Sequence, residues 1–232
     1  MPRVTVVIPT LNEEGNLRRC LGALATQSFR DFEVIVVDGG SSDGTVDVAR
    51  SFGARVIAVR ERGIARARQA GFEAASGEIV VSTDADVDPP PDWLARLIAP
   101  FSDPEVVAAC GPFRYGGWWD ILSGNWISNA VRPLLFRLGF TPLPGPNFAV
   151  RREEFLAVGG FKLPDGSFPR GYPDYEDILL GLKLRRRGKV VLIRDLWVTN
   201  APRRFPRGMI DYLVRGNLRL LIYATWMITG KI

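Results

Sequence analysis

Short apolar runs and amphipathic stretches alternate along most of the chain. Residues 4–8 are almost continuously apolar and β-branched, the pattern of a strand buried on both faces of a parallel sheet. Residues 32–37, 55–59 and 78–82 repeat that pattern, and residues 106–110 add another run. Between them lie segments with apolar residues at helical spacing: from Asn12 to about residue 25, then residues 45–52, 63–75 and 92–101. Asn12 is expected to N-cap the first of these helices and Asp43 the second. Strand and helix in this alternation predict βαβ units, a mostly parallel twisted sheet and right-handed crossovers.

The second half is patterned differently. Trp118, Trp119 and Trp126 crowd a helical stretch that runs to Leu138, and a Pro/Gly-rich passage follows over residues 141–146. A short strand is expected at 147–150, a helix at 151–158, a loop at 161–172, a helix at 175–187 stopped by Gly188, and a strand at 189–193. The tail from Pro206 carries Asp211, Arg215 and Arg219 on one stripe, with Ile210, Leu213, Val214, Leu220 and Leu221 on the other side. That amphipathic helix has three open fates: closing the core, lying on a membrane, or joining two copies as a homodimer. The reading is one α/β domain over 1–205, with a nucleotide-binding half (1–115) and an acceptor-binding half (116–205), followed by the helix 206–232.

The chemistry gathers where strands end. Residues 79–81 are an apolar, β-branched run that leads through Ser82-Thr83 into Asp84-Ala85-Asp86-Val87-Asp88, and Pro89-Pro90-Pro91 stiffens the exit. Ligands of open α/β sheets bind outside the carboxyl ends of the strands. Glu13, Asp38, Asp84 and Asp86 all fall at such ends. Two carboxylates one residue apart suit a hard cation, since Mg²⁺ takes one or two carboxylates plus substrate phosphates. A solvated acidic loop is the alternative. Neither a Walker A sequence nor a Gly-x-Gly-x-x-Gly turn is present to hold phosphate through backbone amides.

Composition narrows the field. The 232 residues contain no histidine, which excludes Ser-His-Asp and Cys-His catalysis and imidazole metal sites. Any metal must be held by oxygen, and any general base must be Asp, Glu, Lys or Tyr. Cys20 and Cys110 fit no metal or redox spacing. The formal charge of +5 and pI near 9.5 come mostly from arginine, which suits phosphate groups. No nucleic-acid motif is recognisable, and the converging acids would repel such a ligand, so no nucleic-acid partner is expected. The run at 4–8 is too short for a secretory leader, and no apolar run reaches the roughly 20 residues a bilayer span needs. A cytoplasmic enzyme, peripheral on the inner face of the membrane, is the expectation.

Several stretches taken in order resemble a known family. These are Val6-Val7-Ile8-Pro9-Thr10-Leu11-Asn12-Glu13-Glu14, Val36-Val37-Asp38-Gly39-Gly40-Ser41-Ser42-Asp43-Gly44-Thr45 and Asp84-Ala85-Asp86. Gly145-Pro146-Asn147-Phe148, Gly159-Gly160-Phe161 and Glu176-Asp177 follow. The sequence resembles family 2 glycosyltransferases with the GT-A fold, over residues 4 to about 190. The resemblance implies inverting transfer of one sugar from a UDP- or GDP-sugar donor to a hydroxyl acceptor, a glycan or a lipid-linked molecule. It implies Mn²⁺ or Mg²⁺ on the diphosphate, held by Asp86. Pro9, Thr10 and Glu13 would lie along the nucleoside, Asp38 on the base with Arg66 near it, and Asp84 and Ala85 on the ribose side. Asp177 would be the general base, with Glu176 the neighbouring candidate and Asp174 a weaker one.

Each role has a plainer rival. Asp38 can cap its own turn, Asp177 can simply favour a helix start, and Arg66 can sit on a solvated face. Arg203 and Arg204 are candidates for a phosphate, and Trp118, Trp119 and Asn147 for the acceptor. The Gln-x-x-Arg-Trp sequence of processive synthases is missing, which points to transfer of single sugars. Two other classes remain open: a sugar-nucleotide nucleotidyltransferase and a non-catalytic module for anionic ligands or membranes.

Overall fold

The computed structural model describes residues 2–61, 63–115, 125–163, 165–168 and 176–201. β1 (Val4–Thr10), α1 (Glu14–Ala25), β2 (Phe32–Asp38), α2 (Thr45–Ser51), β3 (Arg55–Ala58), α3 (Ile64–Ala74) and β4 (Ile79–Ser82) form the expected βαβ series. After β5 (Val87–Asp88) come α4 (Trp93–Ile98), a 3₁₀ turn at Ala99–Ser102, β6 (Val106–Cys110) and β7 (Phe113–Arg114). The chain continues through α5 (Asn125–Arg137), β8 (Phe148–Arg151), α6 (Arg152–Ala157), α7 (Glu176–Arg185), β9 (Lys189–Leu192) and β10 (Val198–Asn200).

The main sheet has seven strands in the order β3-β2-β1-β4-β8-β6-β9. All pairings are parallel except those of β8, which runs against both β4 and β6. Its first residue, Phe148, therefore sits beside the last residues of both neighbours, Ser82 and Cys110. That reversal delivers the turn before β8 to the carboxyl edge of the parallel strands, where ligands bind. A second sheet, β5-β10-β7, lies past that edge.

Both faces of the sheet are buried. One core packs Ile8, Leu17, Leu24, Trp93 and Leu97 under α1, α2 and α4. The other packs Val7, Phe148 and Leu180 with three rings in tilted and edge-to-face contact, Phe72, Phe155 and Phe161, at centroid distances of 4.7 to 5.3 Å. Burial on both sides explains why the strands read as continuous apolar runs rather than alternating ones. α3 lies close to the sheet because Gly71 carries no side chain: a Cβ there would stand 2.9 Å from Val37 Cγ2.

Two local expectations are corrected. Asn12 does not cap α1, which begins at Glu14. Asn12 instead adopts a left-handed φ of 55° and accepts hydrogen bonds from the Ser42 N–H and hydroxyl, while its own N–H donates to Ser41 Oγ. Asp43 accepts from Thr45 N–H and from Glu14 N–H, so it ties the two loops together as well as serving the start of α2. The helix expected at 92–101 breaks into α4 and the 3₁₀ turn at Pro100, whose ring cannot donate to a continuing helix. The tail 206–232 lies outside the described residues. Among the described residues, no helix is long and apolar enough to cross a membrane.

Candidate active site

Two acidic segments meet at the carboxyl edge around one buried arginine. Arg68, on α3, is 2% exposed. Its Nη2 donates to Asp84 Oδ1 at 2.6 Å, just past β4, and its Nη1 donates to Glu176 Oε1 at 2.5 Å, at the start of α7. Both carboxylates are buried with it. Burial works against the Arg68 charge, but Asp84, Glu176 and Asp177 outweigh it and raise its pKa.

Asp177 stands next in the chain, half-buried. Its Oδ2 accepts the Gly145 N–H at 2.9 Å and its Oδ1 accepts the Ile178 N–H at 2.8 Å. Desolvation and the neighbouring Glu176 push its pKa up to about 7, against the pull of Arg68 and the two N–H groups. A carboxyl poised there can take a proton at neutral pH, which an ordinary aspartate does poorly. Gly145 is held in place in turn, since Ser82 Oγ donates to its carbonyl at 2.8 Å.

The Asp84–Asp88 segment wraps the Cys20 thiol, whose pKa is raised by burial and by Asp88, Asp86 and Asp84. Asp86 is buried, its carbonyl accepts the Ala201 N–H at 2.7 Å, and its Oδ1 faces Asn200 Nδ2 at 3.4 Å. Asn200 Oδ1 is buried and has no hydrogen-bond partner among the described residues. The Asp86 carboxylate offers hard oxygen donors, which fits Mg²⁺ or Mn²⁺. Among the described residues no three acidic, cysteine or histidine side chains form a cage, so substrate oxygens and water would complete such a shell.

The geometry meets a known pattern at this point. The sequence model described as glycosyl transferase family 2 matches residues 5–156. The chain belongs to that family. It is 37% identical over 110 residues to glycosyltransferase AglE of Haloferax volcanii, covering 44% of this chain and 36% of that protein. It is 34% identical over 140 residues to an undecaprenyl-phosphate 4-deoxy-4-formamido-L-arabinose transferase of Aeromonas hydrophila, covering 56% and 43%. The chain thus spans less than half the length of these relatives. Among solved structures it resembles a mannosyltransferase of Pyrobaculum calidifontis in complex with GDP-Man and Mn²⁺ (TM-score 0.68, 26% identity, 91% of this chain and 59% of that one). It also resembles glucosyl-3-phosphoglycerate synthase of Mycobacterium tuberculosis with Mn²⁺, UDP-glucose and phosphoglyceric acid (TM-score 0.61, 27% identity, 92% and 79%). The GT-A fold expected from the motifs is the fold observed.

Pro9 and Thr10 end β1, with Thr10 O accepting the Gly39 N–H at 2.9 Å. Glu13 Oε2 accepts from Asn16 Nδ2 at 2.7 Å. Asp38 is buried at the end of β2, and its carboxylate accepts the Gly40 and Ser41 N–H groups and the Ser41 hydroxyl. The turn-capping role is therefore present in the structure. Ala85 turns its methyl group into the core, so only its backbone faces the edge.

Arg66, expected near the nucleoside base, pairs with Glu61 at 2.5 Å and lies 4.8 Å from the Phe168 ring centroid. Positions two apart on a helix point to nearly opposite sides, so Arg68 faces inward and Arg66 outward. Asn147 is fully buried, and its amide is committed to the protein itself. It accepts from Trp93 Nε1 at 2.8 Å and donates to Pro112 O at 2.9 Å and Leu196 O at 2.8 Å, leaving no donor for an acceptor molecule. Trp118, Trp119, Asp174, Arg203 and Arg204 lie outside the described residues. Arg68 and Asn200 escaped the sequence reading. The available signal for Arg68 was an arginine on the apolar face of α3, in step with Ala65 and Phe72.

Proposed function

We propose that the protein is an inverting glycosyltransferase that moves one sugar from a UDP- or GDP-sugar to a hydroxyl acceptor. The observation that carries this reading is Asp177: a half-buried carboxyl with pKa near 7, fixed by Gly145 N–H at the edge of the sheet. Inversion by single displacement needs one base on the face of the sugar opposite the leaving diphosphate. Asp177 takes the acceptor hydroxyl proton as the oxygen attacks the anomeric carbon, and Glu176 stays tied to Arg68. Asp38 and Thr10, at the ends of β2 and β1, would take the nucleoside, and Asp86 would hold Mn²⁺ or Mg²⁺. A bound cation would neutralise charge developing on the diphosphate. The structural relatives bound to GDP-Man with Mn²⁺ and to UDP-glucose with Mn²⁺ support a nucleotide-sugar donor.

The acceptor reading is a lipid-linked molecule at a membrane surface. Its support is the undecaprenyl-phosphate relative and the exposed Trp126, Ile127 and Leu134 of α5, with Leu138 just after it. In a flotation assay the protein should rise with anionic vesicles; protein left entirely at the bottom would remove this part. The main test is calorimetric titration with UDP and with GDP, each with and without Mn²⁺, on wild type and Asp86→Ala. Metal-dependent binding of one nucleotide, abolished in the variant, is expected. Failure of both nucleotides to bind would sink the transferase reading, and release of pyrophosphate on turnover would replace it with a nucleotidyltransferase.

A further inference from the structure

The buried arginine joins two parts of the chain that the reaction must keep in register. Asp84 follows β4 on the donor side, and Glu176 opens α7 beside the base. A guanidinium presents its donors in a rigid planar fork, so one Arg68 side chain fixes both carboxylates at a set separation. It is also a seat for the turn before β8. A Cβ on Gly145 would stand 2.5 Å from Arg68 Nη2 and 2.8 Å from Nη1, so the glycine backbone rests directly on the guanidinium. Gly145 N–H is the group that holds Asp177 Oδ2. Arg68 thus reaches Asp177 by two routes, through Glu176 and through Gly145.

Resting on the transferase reading above, we propose that Arg68 is a positioning residue for transfer: it locks the Asp84 strand end to the Glu176 helix start and sets the place of the Asp177 carboxyl. A buried ion chain is a poor device for stability alone, because desolvation of the charges cancels much of their attraction. Here three carboxylates, Asp84, Glu176 and Asp177, surround the one guanidinium. Arg132 on α5 is a second buried cation that feels Asp177, and its Nη1 is held by Pro142 O at 3.0 Å. Among the described residues, Glu176 Oε2 and Arg68 Nε are buried without hydrogen-bond partners. Charge and geometry are therefore separable at Arg68. Lysine keeps the charge and loses the fork, whereas glutamine loses both.

The experiment uses the whole chain with GDP-mannose and UDP-glucose in Mn²⁺, reading nucleoside diphosphate release against pH. The ¹³C carboxyl resonance of Asp177, assigned with Asp177→Asn, is followed in parallel. Glu176→Gln removes the negative neighbour, and the Asp177 titration and the acid limb of kcat should both move to lower pH. Arg68→Gln removes the positive neighbour, and both should move to higher pH. Arg68→Lys should leave the titration in place but cut kcat about 100-fold, the scale of loss when a reacting group is misplaced by an ångström. A merely structural arginine would lower the folded fraction without moving the limb in opposite directions. Should Arg68→Gln not fold, Arg68→Lys and Glu176→Gln still decide. Wild-type turnover by Arg68→Lys, in an enzyme that Asp177→Asn inactivates, overturns the positioning role alone. Equal release by wild type and Asp177→Asn overturns the transferase reading and the role of Arg68 with it.

Discussion

Asn147 offers the sharpest separation of structure from chemistry. Its buried amide spans three segments: the Trp93 indole on α4, Pro112 before β7, and Leu196 before β10. Asn147→Ala strands these groups unequally. Pro112 O keeps a second bond from Val198 N–H at 3.3 Å. Trp93 Nε1–H is left buried and unpaired, at a cost of ~1–3 kcal/mol. Leu196 O loses its amide donor for a further ~1 kcal/mol, and the vacated volume adds about as much again. The sum is about 4 kcal/mol, which lowers Tm by about 10 °C in a chain of this size. Urea unfolding monitored by tryptophan fluorescence should show the midpoint falling at unchanged m. A loss under about 1 kcal/mol would refute the reading of Asn147 as an internal strut. If a near-native midpoint came with weakened acceptor binding, the role expected from sequence would be restored.

Three further outcomes follow from the same geometry. Asp177 has a folded pKa near 7 against an ordinary 3.8, so the folded state holds the extra proton between those values and stability falls as pH rises through that window. Asp177→Asn should therefore raise the urea midpoint at pH 8, by about 2 kcal/mol in stability, and leave it unchanged below pH 4; equal midpoints at both pH values would contradict the shift. Gly145→Ala presses a methyl onto a guanidinium pinned by two carboxylates, so it should cost about 1–3 kcal/mol and most of the turnover, read by urea unfolding and nucleoside diphosphate release. Cys20 and Cys110 are buried, and burial pushes the Cys110 thiol up to about 12, so a disulfide reagent should find no thiol in the native protein and two after denaturation.

Much of the architecture of the first half was legible because its signals are local. A strand buried on both faces must be a continuous apolar run, and residues 4–8, 32–37 and 79–82 could hardly be anything else. Acids placed directly after such runs reach the carboxyl edge whatever the helices do. Motif order then brought the family and the fold. Element ends were less legible, because loops cross-link through side chains far apart in sequence: Asn12 bonds Ser42, and Glu13 N–H donates to Thr45 Oγ1.

The sequence by itself determined the class of sheet, the oxygen-only chemistry of a chain without histidine, and the acids at the strand ends. Only the tertiary structure decided which polar residues serve the fold and which meet at the edge. Asn147 and Arg68 both sit in motifs or helices that admit either role, and their partners lie 16 to 108 positions away. The reversal of β8 was equally unreadable, since an apolar four-residue strand carries no mark of its direction. Yet that reversal carries Gly145 onto Arg68 and Asp177. Pattern fixes which face of an element is buried; the side chain it meets there depends on how distant elements stack.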